Sequence, residues 1–405
     1  MTNQLKLVCG STERLLVATS WECNNNIERK QLKRCLISLL KTLSTRLSRN
    51  KSTTHFAFRV ECVGSSEEGT KAFRQDEFDC ICYFHDNLKK QAEQFSKLFI
   101  KIKCTDESPW QSCITSKHGK LNMRKVALEF YSAVDREIDS MYEEGIHCGK
   151  LFLGFKSFEM KDKISCLRLL WKGRSCNNRN IYVDLVPAFQ LNDISLEKLL
   201  PFASKNKEYH CVAKTSRIEY SDDNKEYFPV SYACEEVAII KSLPREVRKG
   251  YCIAKALRMT TICQPNDTSP LRRTEHIRSD SIITSYMLKT CLINLVSRRT
   301  LEKGSLYDWT DRIYEEFETR VDDGFLKSCI SGEHVFWCRH CQESIDASLV
   351  CCLNARIMLA LCRQIRKWLR ENKTDLEELT YGKHLVYSRY DHACSRTTRR
   401  FSVPK

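Results

Sequence analysis

The sequence has little glycine or proline and lacks a long uninterrupted apolar run. Its 405 residues include 13 glycines and 8 prolines, too few for a long low-complexity segment. The longest apolar run, near the C-terminus, is interrupted by Arg356 and Arg363, so we expect no membrane-spanning helix and no membrane partner. The first residues do not follow the basic, apolar and small-residue order of a secretory signal peptide. These absences predict a soluble protein, which we expect in the cytoplasm.

Cysteine and positive charge are, by contrast, abundant. The 23 cysteines are odd in number and scattered, often in apolar helical contexts such as "LVCCLNARIMLALC". We therefore expect reduced thiols rather than a disulfide framework. A formal net charge of +15 is typical of proteins that meet a polyanion, such as nucleic acid, nucleotides or an acidic membrane surface. A basic surface that serves only solubility is the alternative.

Apolar spacing divides the chain into three parts, residues 1–224, 225–372 and 373–405. In the first part, apolar residues three and four apart predict a long amphipathic helix over residues 27–47. Alternation and turn signals predict strands at "HFAFRVECV", "DEFDCICYF", "CLRLLWKG" and "IYVDLVPAF", and a helix lies around residues 121–143. The second part consists of helix-like segments bounded by proline or glycine, and the third is a loosely ordered basic tail. We therefore predict an α+β protein with a mixed, mainly antiparallel sheet and a helical lobe.

Two acidic residues stand one residue apart in the strand "DEFDCICYF". Residues i and i+2 of a strand point to the same side, so Glu77 and Asp79 share a face that Phe78 does not. Asp184 stands alone in the apolar strand "IYVDLVPAF". If the two strands are neighbours, three buried carboxylates without a basic partner converge on a site for hard divalent cations. We therefore expect divalent cations there; acidic residues that merely face water are the other interpretation.

A glycine–serine pair precedes this strand at Gly64 and Ser65. Glycine allows close backbone approach, so such a pair can bring N–H groups and a hydroxyl against a triphosphate. Two cations nearby would activate a hydroxyl and stabilise a leaving pyrophosphate. Taken alone, the pair is more often an ordinary β-turn.

Together these segments resemble the polymerase-β type of nucleotidyltransferase, and most of all the cyclic GMP–AMP synthase-like receptors and their male-abnormal-21-like relatives. "GSSEEGTKAFRQDEFDCICYF" is similar to the family's Gly-Ser loop and Glu-Phe-Asp strand, and "IYVDLVPAF" to its third acidic strand. "FPVSYACEEVAII" resembles an Arg-x-Ser-Phe segment with an acidic helix. "YCIAKALRM" resembles the phosphate-lysine helix, and "IITSYMLKTCL" the Ser-Tyr-x-x-Lys-Thr helix. The resemblance covers most of the chain.

The resemblance implies a bilobed polymerase-β-type nucleotidyltransferase, with the N-terminal spine helix and the catalytic core in residues 1–224 and the helical lobe in residues 225–372. It implies that Glu77, Asp79 and Asp184 are catalytic and bind two magnesium ions. It also assigns nucleotide binding to six residues: Gly64, Ser65, Ser231, Lys255, Ser285 and Tyr286. Without the family, Lys255 reads as a solvated helix lysine and Tyr286 as a core residue.

The predicted first helix carries a basic face: Arg29, Lys30, Lys33, Arg34, Lys41 and Arg46. Lysines and arginines on one long helix can follow the phosphates of a duplex without reading bases. The family uses this helix for nucleic acid, whereas an isolated helix of this kind could be a solvated charged face. The resemblance further implies that duplex binding orders the loop around Lys71 and Arg74.

Two departures from the family bear on ligands. The family's base-reading arginine is replaced by Pro229, which leaves the product's bases open. "KSLPREVRKGYC" has one cysteine and no histidine, so the zinc insertion of the vertebrate synthase cannot form there. The pair Cys338 and Cys341 lacks a second pair at the usual spacing, and we do not expect zinc. Relatives without the insertion mostly sense double-stranded RNA, which favours RNA over DNA.

The resemblance therefore implies an enzyme activated by double-stranded RNA, or double-stranded DNA, that makes a cyclic dinucleotide. Its substrates would be ATP, GTP or other nucleoside triphosphates, and a downstream cyclic-dinucleotide receptor in innate antiviral signalling would recognise the product. A catalytically silent male-abnormal-21-like scaffold and a template-free linear nucleotidyltransferase are the alternatives.

Overall fold

The architecture combines a large sheet with a group of helices. The computed structural model describes residues 26–71, 77–85, 91–94, 99–104, 109–115, 119–161, 164–173, 179–191, 209–213, 226–258, 283–298, 303–323, 325–327, 329, 334–337 and 348–374. The helices in these ranges are α1 (Asn26–Arg49), α2 (Gly64–Glu68), α3 (Met123–Glu143), α4 (Ala233–Ser242), α5 (Arg245–Leu257), α6 (Ser285–Arg298), α7 (Leu306–Asp322) and α8 (Ser348–Glu371). None of these described helices is long and apolar enough to cross a bilayer.

Most of the described strands belong to one sheet. They are β1 (Phe58–Val63), β2 (Glu77–Phe84), β3 (Gln91–Gln94), β4 (Phe99–Lys103), β5 (Ile114–Thr115), β6 (Lys120–Leu121), β7 (His147–Cys148), β8 (Leu151–Lys161), β9 (Ile164–Trp171), β10 (Arg179–Leu191), β11 (Tyr209–Val212) and β12 (Phe228–Ser231). A separate hairpin joins β13 (Phe325–Lys327) to β14 (His334–Trp337).

The sheet runs in the order β5-β6-β4-β12-β11-β10-β9-β8-β7, and β2 pairs with β10 and β1. Among the ladders of the described strands, β2 with β10 is parallel and the others are antiparallel. The predicted α+β class and mainly antiparallel sheet are therefore confirmed.

The long first helix forms because its leucines recur on one face. Leu36, Leu40, Leu43 and Leu47 are fully buried, and the helix contacts β1 and α3. The amide N–H of Lys125 donates to the side chain of Asn122 over 3.0 Å, which caps α3. Burial of one apolar face thus fixes both helices against the sheet.

The helices after residue 226 pack on each other around α7. α7 contacts α5, α6 and α8, and a capping box of Ser305 and Asp308 begins it. Gly250 of α5 is required at this crossing, since a Cβ there would lie 2.7 Å from the Cβ of Trp309. The helical character predicted for the second part is confirmed where the structure describes it, in α4 to α8.

Several predicted elements have different neighbours or bounds. The strand predicted at "HFAFRVECV" begins at Phe58, after a 3₁₀ turn at Thr54–Phe56. The segment after Val63 continues as the short helix α2. Phe228–Ser231 is a strand of the large sheet before α4 begins. The predicted basic tail lies outside the described residues from residue 375 onward, and the three-part division of the chain remains a prediction.

Candidate nucleotide and metal site

The three predicted carboxylates lie on neighbouring strands. In the parallel ladder of β2 with β10, Asp79 is the Cα partner of Asp184, and Glu77 is the partner of Tyr182. Because residues two apart share a face, Glu77, Asp79 and Asp184 all belong to one face of the sheet. Phe78 and Cys80 are buried on the opposite face. The predicted neighbour relation of the two acidic strands is confirmed.

This face has two ends of opposite character. At the open end, Glu77 and Asp79 are exposed and Asp184 is half-buried. At the closed end, Ile81, Tyr83 and Ala188 are buried against apolar side chains that include Val237 of α4. The expectation that the acidic residues are buried was wrong, because α4 covers the apolar end of β2 and leaves its first residues exposed.

Lys71 contacts the open end. Its ammonium forms an ion pair with the Glu77 carboxylate, so the expectation of no nearby basic partner was also wrong. Within the described residues, no group of three or more histidine, cysteine, aspartate or glutamate side chains stands ready to hold a metal ion. The donors nevertheless fit a hard cation, since all three are carboxylates on one face, with Asp79 and Asp184 directly paired and Glu77 two residues from Asp79. Lys71 occupies one of them.

The glycine–serine pair adjoins Asp79. Val63, the residue before Gly64, is the Cα partner of Asp79. Gly64 has φ +70°, and a Cβ at this position would lie 2.1 Å from Oδ2 of Asp79. Glycine adopts this left-handed conformation without strain, and a larger residue would have to displace the Asp79 carboxylate. Half-buried Ser65 follows in the first turn of α2, so the pair and the acidic face form one region.

A buried ionic network lies behind α2. Lys289 of α6 pairs with Glu68 of α2 over 2.7 Å and with Glu236 of α4 over 3.0 Å. The Tyr286 hydroxyl donates to Glu236 over 2.9 Å. Burial would lower the pKa of Lys289, but the two carboxylates outweigh it and raise the pKa well above its usual value. Lys289 therefore stays charged and holds α2 against the helical lobe.

Lys255 is a second buried lysine with weaker partners. It is 4% exposed, and its ammonium donates to the Thr70 hydroxyl over 3.3 Å and lies 4.7 Å from the ring centre of Tyr251. Burial lowers its pKa to about 8, although Cys252 and Glu68 act in the opposite direction. The interpretation of Lys255 as a solvated helix lysine was thus wrong.

The remaining predicted nucleotide residues lie in the same helices and strand. Tyr286 is 40% exposed, which removes the interpretation of a core tyrosine and leaves its ring accessible. Ser285 is half-buried, and its carbonyl accepts a hydrogen bond from the Tyr251 hydroxyl over 3.1 Å. Ser231 ends β12, where its side-chain oxygen accepts from the amide of Ala233 over 3.4 Å. Their assignment to nucleotide binding stays a prediction.

The basic residues of α1 divide into two groups. Lys30, Arg34 and Lys41 are exposed and follow one stripe of the helix. The other three face protein groups: Arg29 donates to the Ser66 carbonyl, Lys33 pairs with Glu67, and Arg46 pairs with Glu137 and Glu144. The exposed group therefore offers the surface on which a duplex could lie.

Sequence reasoning did not assign Glu68, Glu236 or Lys289. A signal for Lys289 was present, since the Ser-Tyr-x-x-Lys spacing places Tyr286 and Lys289 on one helix face. Glu68 and Glu236 become partners only through the tertiary fold. Arg74, Cys338 and Cys341 lie outside the described residues, and the cysteines whose side chains the structure describes are free thiols.

No protein-family model and no curated protein matches this chain.

Proposed function

We propose that this protein is a nucleotidyltransferase with a polymerase-β-type core that joins two ribonucleoside triphosphates into a cyclic dinucleotide. The observation that carries the proposal is the register of β2 with β10, which pairs Asp79 with Asp184 and adds Glu77 on the same face. Gly64, pressed against Asp79, supports the placement of a triphosphate beside these carboxylates.

Glu77, Asp79 and Asp184 would hold two magnesium ions, which supply charge neutralisation at the α-phosphate and at the leaving pyrophosphate. Asp184, half-buried between two strands, would accept the proton of the attacking ribose hydroxyl. Glu77 must exchange its ion pair with Lys71 for this role. The oxygen of the hydroxyl then bonds to the α-phosphorus, and the bond to pyrophosphate breaks in line.

The helical lobe would orient the nucleotide. Tyr286 has an exposed ring whose hydroxyl is fixed by Glu236, which suits stacking on a base. Lys255 places a positive charge behind α2 through Thr70. The backbone of Gly64 and Ser65 would contact the phosphates, because a glycine lets a ligand approach the main chain closely. Gly64 lies directly beside the Asp79 carboxylate.

Activation would come from a duplex on α1. Lys30 and Lys41 stand eleven positions apart on one helix, a rise of about 16 Å, with Arg34 between them. This spacing supports contact with successive phosphates of double-stranded RNA, and of DNA as the second candidate. Arg29 and Lys33 of the same helix contact α2, so a duplex on α1 would lie next to the elements that hold the triphosphate.

The test is an incubation of the protein with four labelled ribonucleoside triphosphates, Mg²⁺ or Mn²⁺, and either duplex RNA or duplex DNA. A phosphatase-resistant small product that requires the duplex is expected. The double variant Glu77→Ala with Asp79→Ala should abolish it. No product under any condition would contradict the proposal and favour a silent scaffold, whereas growing linear chains would favour a template-free polymerase.

A further inference from the structure

An exposed tyrosine lies within the acidic face. Tyr182 of β10 is 40% exposed, whereas its chain neighbours Ile181 and Val183 are fully buried. It points to the same side as Asp184, two residues on, because side chains of a strand alternate. Its Cα partner on β2 is Glu77. A large aromatic ring is therefore presented to solvent beside two of the three carboxylates.

A cation extends this row on the other side. In the antiparallel ladder of β9 with β10, Arg168 is the Cα partner of Tyr182, and Arg168 is exposed. Directly opposed residues of an antiparallel pair have Cβ atoms about 4.5–5.5 Å apart, so Arg168 stands beside Tyr182. With Glu77 on the parallel side, the three residues form one row across three strands. The guanidinium of Arg168 donates from Nε to the side chain of Asn180 over 3.4 Å, which directs it along the sheet.

The row combines the groups that recognise a nucleotide. An aromatic ring stacks on a base irrespective of its identity, and a guanidinium binds phosphate through charge-assisted hydrogen bonds. An anion at this end of the sheet needs such a cation, because the neighbouring carboxylates repel it. Tyr286, on α6 of the helical lobe, already provides one exposed ring, and a reaction between two nucleotides requires a second position.

We propose that Tyr182 and Arg168 form the subsite for the second, attacking nucleotide, with Tyr182 stacking on its base and Arg168 binding its phosphates. This inference rests on the proposed nucleotidyltransferase function. It places the ribose of that nucleotide next to Asp184, which lies two residues from Tyr182 on the same face and accepts the ribose proton in the proposed reaction.

The test measures binding without turnover. The probe is the α,β-methylene analogue of 2-aminopurine riboside triphosphate, whose fluorescence is quenched on stacking, titrated in Mg²⁺ with the full chain. The wild type should show two binding events, of which Tyr182→Ala loses one and Tyr286→Ala the other. Loss of a stacking partner should weaken the affected event roughly 10- to 100-fold, and Tyr182→Phe should retain it.

Controls separate stacking from folding. Tyr142 of α3 is 41% exposed but stands outside this row, so Tyr142→Ala should leave both events unchanged. Arg168→Met should weaken the Tyr182-dependent event about tenfold for the triphosphate, but not for 2-aminopurine riboside itself, and Arg168→Lys should recover part of it.

Two results would overturn the inference in distinguishable ways. If Tyr182→Ala keeps both events and the wild type still forms product, the subsite is wrong and the proposed function stands. If the wild type binds the analogue at neither position and forms no product, both the proposed function and the proposed subsite are wrong.

Discussion

The two ends of one sheet face differ in burial and in charge. At the closed end, Ile81, Tyr83 and Ala188 are buried with Val237 of α4, so this end contributes apolar burial to the fold. At the open end, Glu77 and Asp79 are exposed beside half-buried Asp184. The same strands therefore supply buried apolar residues at one end and exposed or half-buried carboxylates at the other.

The open end has a support that the closed end does not need. Gly64 and α2 adjoin Asp79, and α2 is held from behind by the buried pair of Glu68 with Lys289. Buried ion pairs stabilise little in themselves, but loss of one partner is costly. We infer that charge fixes the position of α2, while apolar packing fixes the rest of the face.

The largest effect is expected at the open end. Asp184→Asn keeps the shape of the side chain and removes its charge, so the rate of product formation should fall about 1,000-fold or more. The free energy of unfolding should change by no more than about 0.5 kcal/mol, since the residue is not part of the core. Labelled-nucleotide assays and urea unfolding measure the two quantities.

A matched control for this change is Glu143→Gln, which removes an exposed carboxylate at the end of α3. It should alter neither quantity. Equal activity of Asp184→Asn and wild type would show that the open end is not the catalytic face.

Loss of the buried ion pairs behind α2 should have the next largest effect, on the free energy of unfolding. Lys289→Met leaves Glu68 and Glu236 buried without their cation, so unfolding free energy should fall by about 3–5 kcal/mol. Lys241→Met removes a half-exposed partner of Glu67 and should cost no more than about 1 kcal/mol. Urea titrations compare the two; equal small losses would mean that α2 does not depend on Lys289.

A substitution at the closed end should lower the stability of the protein but not its activity. Ile81 is 2% exposed, and Ile81→Ala should lower the unfolding free energy by about 3 kcal/mol through lost burial and a cavity. Activity per folded molecule should persist. Ile27, which is 84% exposed, provides the control, since Ile27→Ala should change stability by less than about 0.5 kcal/mol.

The prediction for Lys255 depends on pH. Its pKa is about 8 in the folded protein against 10.5 ordinarily, so the unfolded chain binds more protons between these values. The destabilisation caused by burying Lys255 therefore decreases as pH rises from about 8 to 10.5, and the free energy of unfolding of the wild type increases. Below pH 8 the Lys255→Met variant should be the more stable protein, and its advantage should shrink across that interval. Urea titrations measure the difference in unfolding free energy between the two proteins. A difference that stays constant over this pH range would contradict the account of Lys255 as a buried, weakly paired lysine.

The sequence predicted the elements of the site better than its surroundings. Alternation in "DEFDCICYF" and "IYVDLVPAF" was enough to predict both strands and the shared face of Glu77 and Asp79. The exposure of these acids was misjudged, because the apolar residues that follow them are covered by α4, which composition cannot reveal. Similarly, the sequence around Lys255 does not distinguish it from a solvated helix lysine. Only the tertiary fold shows that it is buried and donates to Thr70, which follows α2.

Other features depend on contacts between distant segments. The short strand β3 was not predicted, since its sequence "QAEQ" carries no apolar alternation. The neighbouring β4, "FIKIK", does alternate, and this signal was missed. Glu68 stands in a polar segment and Glu236 in a largely apolar one, and only the tertiary fold brings both to Lys289. Half of the basic face of α1 likewise turned out to contact the protein itself, through groups such as Glu67 and Glu137.

The central claim is that the three carboxylates of the open end act together as one site for divalent cations. Electron paramagnetic resonance of free Mn²⁺, titrated into the protein with the α,β-methylene analogue of ATP, tests it directly. The wild type should remove Mn²⁺ from solution, and Asp79→Asn combined with Asp184→Asn should not, while Glu143→Gln behaves as wild type. Equal Mn²⁺ binding by the double variant and the wild type would contradict the claim.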